Sequence, residues 1–168
     1  MSAIDELLLT AASYQRTFDR SRLERPPARR LAVVTCMDAR INLFQMLGLR
    51  EGDAHIIRNA GGVITDDEVR SLAISQRLMG TCEVLLIHHT DCGMQAFDDE
   101  VFRRELEAET GVAVPWDTEA FSDLGLDVRE SARRIIESPF IPHSDGVRGF
   151  VYEVETGVLR EVSLDGLR

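Results

Sequence analysis

The sequence has no long apolar run and lacks the usual marks of membrane and secreted proteins. Although 44% of its 168 residues are hydrophobic, no stretch approaches the roughly 18 consecutive apolar residues of a membrane-spanning helix. The first residues lack the basic region and apolar core of a secretory signal peptide. Its three cysteines are an odd number, which disfavours a disulfide framework. We therefore expect a cytoplasmic protein with no membrane partner.

Positive charge is also scarce. The chain has 19 Lys and Arg residues and 29 Asp and Glu residues, which gives a formal net charge of −10. Binding to a nucleic acid backbone requires clusters of basic side chains. The one dense basic stretch, residues 20–30, also contains Pro26 and Pro27, which indicates a solvated connector. We expect no nucleic acid partner.

Several catalytic motifs are absent. The chain has no Cys-x-x-Cys pair for thioredoxin-like chemistry, no Walker A loop and no G-x-G-x-x-G loop. A tyrosine-phosphatase loop needs an arginine six positions after its cysteine, but Asn42 and Asp98 stand at those positions after Cys36 and Cys92. Thiol redox exchange, dinucleotide binding and phosphate-ester hydrolysis are therefore disfavoured.

The hydrophobic pattern predicts alternating strands and helices. Predicted helices cover residues 3–19, 41–47, 65–79, 94–109 and 126–137, predicted strands cover 31–36, 54–58 and 83–89, and a hairpin joins 149–154 to 158–162. Within the helix 65–79, the residues predicted to face inward are Val69, Leu72, Ala73, Ile74 and Leu78. This order predicts a three-layer α/β fold in a single domain, 1–168. Its mostly parallel central sheet has flanking helices, an N-terminal helical arm and a C-terminal β-hairpin.

The arm comprises residues 1–30, an amphipathic helix followed by the polar connector. Ser2 and Asp5 form a weak capping-box pattern at the start of the helix. From the residues alone, the arm could fold back on its own domain or lie on a neighbouring subunit.

Two short motifs follow apolar runs that are typical of buried parallel strands. They are Cys36-Met37-Asp38-Ala39-Arg40 and, about fifty residues later, His89-Thr90-Asp91-Cys92-Gly93. Ligand sites in open α/β sheets form where the carboxyl ends of neighbouring strands converge. Cys36, His89 and Cys92 together would make a three-ligand Zn²⁺ site with a free fourth position, which is typical of a catalytic metal.

Two alternatives remain open at this site. Cys36 and Cys92 could instead form a disulfide, although the neighbouring histidine favours metal binding. His88 competes with His89 as the ligand, but side chains of successive strand residues point to opposite faces. The spacing to Cys92 favours His89, so we expect His88 to pack or hydrogen-bond elsewhere.

Asp38 and Arg40 lie two and four residues after Cys36. A guanidinium can hold a carboxylate through two parallel hydrogen bonds. A carboxylate held near the metal could orient a water molecule there; once released, it could take the fourth metal position itself. The alternative is an ordinary surface ion pair.

Another stretch, Asn59-Ala60-Gly61-Gly62, could either present backbone N–H groups to an anion or simply form a tight turn.

Together, Cys36-x-Asp38-x-Arg40, Arg58-Asn59-Ala60-Gly61 and His89-x-x-Cys92-Gly93 resemble the signature of the β-class carbonic anhydrases. The short chain and the residues 73–77 and 88–94 resemble the compact prokaryotic branch of that family. The resemblance implies a zinc lyase that interconverts CO₂ and bicarbonate, with Cys36, His89 and Cys92 as ligands. Asp38 and Arg40 match the catalytic dyad, and in closed forms Asp38 becomes the fourth ligand.

The resemblance also implies a homodimer, in which the amino-terminal helix embraces the partner, and possible dimers of dimers. The sequence departs from the family at Met94, which replaces a second glycine. It departs again at Val33 and Val34, near the place of a tryptophan that binds regulatory bicarbonate in some relatives. Two other functions stay open: hydrolysis of carbonyl sulfide or carbon disulfide on the same scaffold, and a non-catalytic zinc-binding or thiol-sensing module.

Overall fold

The computed structural model describes residues 2–19 and 23–167. Within them, the helices are α1 (Ala3–Thr17), α2 (Leu43–Leu47), α3 (Asp66–Met79), α4 (Asp99–Thr110) and α5 (Leu124–Ile136). The strands are β1 (Leu31–Cys36), β2 (Ala54–Asn59), β3 (Glu83–His89), β4 (Val147–Tyr152) and β5 (Leu159–Val162). A single 3₁₀ turn, Gly93–Gln95, follows β3.

The strands form one sheet in the order β2-β1-β3-β4-β5. All neighbouring strands run parallel except β4 and β5, which are antiparallel and form the predicted hairpin. Strand β1 lies between β2 and β3, with Cys36 opposite Asn59 and Thr35 opposite Ile87. The carboxyl ends of β1 and β3 therefore lie side by side. The predicted α/β fold with a mostly parallel sheet and flanking helices is confirmed.

Apolar side chains cover both faces of the sheet. On one face, Val34 and Leu86 pack in a buried cluster with Leu72 of α3 and Val128 of α5. A second cluster includes Val33 and Ile87 of the sheet, Leu43 of α2, and both Cys36 and Cys92. Because β1 and β3 are buried on both faces, they are nearly continuous apolar runs rather than alternating ones.

Two details of the predicted helices were wrong. The predicted helix 94–109 begins later, at Asp99, because the Asp98 side chain accepts the Val101 N–H and caps α4 there. In α3, Leu72 is buried and Val69 and Ala73 pack against the core, but Ile74 and Leu78 are exposed.

Helix α1 has the predicted capping box, in which the Ser2 side chain accepts the Asp5 N–H and the Asp5 side chain accepts the Ser2 N–H. None of its residues is buried. Its apolar side chains at Ile4, Leu7, Leu8 and Leu9 are all exposed. Neither α1 nor any other helix in the described ranges combines the length and the apolar character needed to cross a membrane.

Candidate metal centre

Cys36, His89 and Cys92 converge at the carboxyl edge of the sheet. Cys36 ends β1, His89 ends the neighbouring β3, and Cys92 follows in the next loop. One potential ligand atom from each side chain lies within 4.8 Å of the others, and all three residues are buried. The parallel pairing of β1 with β3 is therefore what brings together cysteines that are 56 residues apart.

The spacing of the two sulfurs suits a metal ion and not a disulfide. The Cys36 and Cys92 Sγ atoms lie 4.0 Å apart, whereas bonded sulfurs are about 2.05 Å apart. Two zinc–sulfur bonds of about 2.3 Å at a tetrahedral angle would separate the sulfurs by about 3.8 Å. Both cysteines are free thiols, so the alternative of a disulfide does not describe this structure.

The ring of His89 is held in the orientation that metal binding requires. Its Nδ1 lies 2.9 Å from the backbone oxygen of Thr90. A carbonyl can only accept a hydrogen bond, so Nδ1 carries the hydrogen and Nε2 has a free lone pair. The Nε2 atom is buried and has no hydrogen-bond partner among the described residues. A buried nitrogen lone pair facing two sulfurs is an arrangement that a metal ion completes.

The two thiols differ in acidity because they interact. Hydrogen bonding from Cys92 is the main influence that lowers the pKa of Cys36 to about 4, and the Asp38 and Gly61 N–H groups add to it. The pKa of Cys92 is raised well above its usual range, first by its hydrogen bond to Cys36 and then by burial. In the metal-free protein, the two sulfurs therefore hold one proton between them, and Cys36 is the more acidic thiol. A bound cation would favour deprotonation of both.

The structure places His88 away from this cluster, as expected. Its Nε2 donates to the backbone oxygen of Gly62 at 3.1 Å, and its ring stacks on Phe121. The Nδ1 atom lies 3.0 Å from a carboxylate oxygen of Asp127 on α5. His88 and His89 thus contact different groups, and of the two only His89 lies with the two cysteines.

Asp38 is held beside the cluster by Arg40. The Arg40 Nε and Nη2 atoms donate to Asp38 Oδ1 and Oδ2 at 3.0 and 2.7 Å. Asp38 Oδ2 also lies 3.8 Å from His89 Nε2. The Arg40 hydrogen bonds hold the pKa of Asp38 well below its usual range, so the group is a carboxylate at neutral pH. A fixed carboxylate therefore lies beside the three candidate ligands, with both of its oxygens bonded to Arg40.

Two further side chains support this arrangement, and sequence reasoning gave neither a role. Arg58 donates to the backbone oxygens of Cys36, Asp38 and Ile41 at 2.9, 2.6 and 3.3 Å. Asp91 binds Arg40 from the side opposite Asp38, at 2.7 Å. Arg58 belongs to a motif that carried the family resemblance, which was the only signal for it, and nothing in the sequence linked Asp91 to Arg40.

The glycine turn after β2 also touches the site. The Gly61 N–H contributes to lowering the pKa of the Cys36 thiol. At Gly62, where φ is +77°, an added Cβ would lie 2.7 Å from the backbone nitrogen of Cys36. Glycine is required there by both the backbone conformation and the close approach of β1.

Comparisons with known proteins agree with the geometry. A family model described as "Carbonic anhydrase" matches residues 31–119. The chain is 49% identical to beta-carbonic anhydrase 1 of Mycobacterium tuberculosis over 97% of this chain and 99% of that protein. It is 38% identical to a carbon disulfide hydrolase of Saccharolobus solfataricus, over 81% and 78% of the two chains. A crystal structure of a carbonic anhydrase from Streptococcus mutans superposes with a TM-score of 0.90 at 41% identity, covering 97% and 99%.

Proposed function

Because this chain belongs to the β-carbonic anhydrase family, we propose that it hydrates carbon dioxide reversibly to bicarbonate with zinc held by Cys36, His89 and Cys92. The observation that carries the proposal is the buried Cys-His-Cys cluster with an arginine-held carboxylate beside it. Thiolate sulfur and imidazole nitrogen are the ligands that zinc prefers. When bound, zinc supplies a Lewis acid that lowers the pKa of water toward neutrality.

The protein's own contribution is to fix the groups around the reacting water. Asp38 has the charge and position to accept a hydrogen bond from that water and so to direct its lone pair at carbon dioxide. Arg40 keeps Asp38 turned toward itself through both carboxylate oxygens. Arg58 ties the backbone between Cys36 and Ile41 to β2, which prevents the loop carrying Asp38 from drifting. These contacts give Asp38 a single orientation before substrate arrives.

Substitution of Asp38 tests this assignment. Asp38→Ala should retain one zinc per chain by elemental analysis, while kcat/KM for carbon dioxide hydration in stopped flow falls by about 100-fold or more. Asp53→Ala is a suitable control, since Asp53 also pairs with an arginine, at 3.2 Å, and its side chain is 17% exposed against 18% for Asp38. If Asp38→Ala kept the turnover of the wild type, or if its only defect were loss of zinc, the catalytic role of Asp38 would be contradicted.

Hydrolysis of carbon disulfide or carbonyl sulfide is the second candidate, favoured by the 38% identity to the Saccharolobus enzyme. These substrates are linear molecules like carbon dioxide, so the same metal chemistry would apply. The 49% identity over nearly the whole chain to a carbonic anhydrase favours hydration. Parallel assays with carbon dioxide, carbonyl sulfide and carbon disulfide on one zinc-loaded preparation separate the two functions. Turnover of only the sulfur substrates would overturn our proposal.

We further propose that the protein acts as a homodimer in which the arm, residues 1–30, packs on the partner. An isolated helix of 15 residues is marginal in water, yet α1 exposes Ile4, Leu7 and Leu8. On the described chain, a groove of about 320 Å³ lies between β2 and α3 and is lined by His55, Ile56, Ile57, Ser71, Ile74, Ser75 and Met79. Apolar surface on both elements supports burial against a second copy.

Light scattering coupled to gel filtration tests the dimer. Leu8→Asp should shift the protein toward monomer at micromolar concentration, because it places a charge in the apolar stripe of α1. Thr10→Asp is the matched control, since Thr10 lies about 160° around the helix axis from Leu8. A wild-type monomer, or equal dissociation in both variants, would contradict this arrangement.

The free thiols at Cys36 and Cys92 support a reducing compartment such as the cytoplasm.

A further inference from the structure

Arg40 is held from two sides, and only one of them involves Asp38. Its Nη1 donates to the Asp91 carboxylate at 2.7 Å, and its Nη2 donates to the Asp91 backbone oxygen at 2.8 Å. On the other side, its Nε and Nη2 donate to the Asp38 carboxylate. The guanidinium therefore lies between two carboxylates that are 53 residues apart in sequence.

Asp91 has an unusual backbone as well. Its φ is +53°, a left-handed conformation that Asn and Gly also adopt but that most side chains avoid. Asp91 directly precedes Cys92, so the turn that delivers a candidate metal ligand also delivers the second carboxylate to Arg40. The conformation itself does not require a negative charge, because an asparagine would serve the turn equally well.

From this geometry we infer that Asp91 is a positioning residue, which holds Arg40 so that Arg40 keeps Asp38 turned away from the metal position. The inference rests on the proposed function of Asp38. An arginine side chain has several rotatable bonds, and a single partner leaves it free to swing into solvent. With Nη1 fixed by Asp91, the donors facing Asp38 stay in place. If the Asp91 carboxylate is removed, Arg40 moves more freely and Asp38 spends more time released, where it can occupy the metal position and block turnover.

The size of the effect follows from exposure. The Asp91 side chain is 75% exposed, and exposed ion pairs contribute little in water. We therefore expect a loss of about two- to fivefold in kcat for Asp91→Asn, with KM for carbon dioxide unchanged. Asparagine retains the shape and the left-handed backbone while removing the charge. Asp91→Gly, which also tolerates a positive φ, should give a loss of at least the same size.

Asp117→Asn is the matched control. Asp117 pairs with Arg103 at 2.8 Å and its side chain is 74% exposed, so the substitution removes an equivalent charge and ion pair elsewhere. Its kcat should equal that of the wild type. A second comparison places Asp91→Asn in an Arg40→Lys background, where the positioned guanidinium is already gone. There we expect Asp91→Asn to have no further effect on kcat.

Nitrogen NMR of the metal-free protein gives a readout that does not depend on activity. The Arg40 Nε–H signal, assigned by its disappearance in Arg40→Lys, should be sharp and slow to exchange in the wild type. In Asp91→Asn it should broaden or exchange faster, while in Asp117→Asn it should match the wild type. An unchanged Arg40 signal in Asp91→Asn would overturn the inference.

Two other outcomes would also overturn it. Wild-type kcat in both Asp91→Asn and Asp91→Gly would mean that Asp91 has no influence on the reaction. An equal loss of kcat in the Arg40→Lys background would show that Asp91 acts through the turn before Cys92 instead of through Arg40. If the zinc-loaded wild type does not hydrate carbon dioxide, the proposed function fails, and the NMR comparison still decides whether Asp91 orders Arg40.

Discussion

His88 Nδ1 lies 3.0 Å from the Asp127 carboxylate, on the opposite side of β3 from the candidate metal ligands. The same ring donates from Nε2 to the Gly62 backbone oxygen at 3.1 Å. One fully buried side chain thus joins α5, β3 and the glycine turn beside Cys36. His88 is the structural member of the histidine pair, and its loss should affect the fold before it affects metal binding.

We expect His88→Ala to lower the free energy of unfolding by about 2–4 kcal/mol, because the change leaves a cavity and an unpaired Gly62 carbonyl. Urea denaturation of the metal-free protein measures this. The exposed loop histidine His143 provides the control, and His143→Ala should stay within about 0.5 kcal/mol of the wild type. Equal stability of the two variants would contradict the structural role of His88.

Gly62→Ala should lower the free energy of unfolding more than Gly80→Ala, although the two glycines have similar backbone conformations. Gly62 and Gly80 have φ of +77° and +73°, but an added Cβ at Gly80 meets nothing within 4 Å. Gly80→Ala should therefore cost only the left-handed strain, about 1 kcal/mol. At Gly62 the Cβ would press on the Cys36 and Thr35 backbone, and we expect at least about 2 kcal/mol. Urea unfolding of both variants tests the difference, and equal costs would rule out the clash.

Metal binding should release about one proton from the ligands near pH 6. The pKa of Cys36 is lowered to about 4, so at pH 6 this thiol has already lost its proton before metal arrives. The pKa of Cys92 is raised by its hydrogen bond to Cys36, so Cys92 still holds its proton and must give it up. Calorimetry of zinc binding in buffers of different ionisation enthalpy counts the protons. Release of two protons would contradict this prediction.

Carbon dioxide hydration should become faster as pH rises above neutrality. Thiolates donate more charge to zinc than imidazoles do, so the reacting water should be less acidic than at a three-histidine site. Asp38 cannot cause this slope, because Arg40 holds its pKa below the usual range and it stays ionised from neutral to alkaline pH. Stopped-flow rates from about pH 6 to 9 at constant ionic strength test the expectation. A flat profile would contradict it.

Much of the fold follows from local pattern. The apolar runs at 31–36 and 83–89, each followed by a short polar motif, predicted neighbouring strands, and β1 and β3 have those bounds. The start of α4 was missed because the apolar spacing continues through the 3₁₀ turn and so hides the cap at Asp98. The exposure of Ile74 and Leu78 was missed because periodicity identifies the apolar side of a helix but not which part of it the sheet covers.

At the site too, some features could be predicted from the sequence and others could not. Cys36, His89 and Cys92 could be selected from residue type and strand position, because parallel strands end at a common edge. The link between Asp91 and Arg40 spans 51 residues and depends on one left-handed residue, which no local pattern indicates. Arg58 likewise acts through backbone carbonyls, which every residue possesses, so its partners could not be inferred from residue types.

The sulfur pair also bears on how the molecule unfolds. A cation shared by Cys36 and Cys92 would tie together chain positions 56 residues apart, as a crosslink that forms only in the native state. Since the unfolded chain does not hold these atoms together, free metal at 100 times its dissociation constant adds about 2.7 kcal/mol to stability. Zinc supply would then govern how long each molecule survives proteolysis as well as how fast it works.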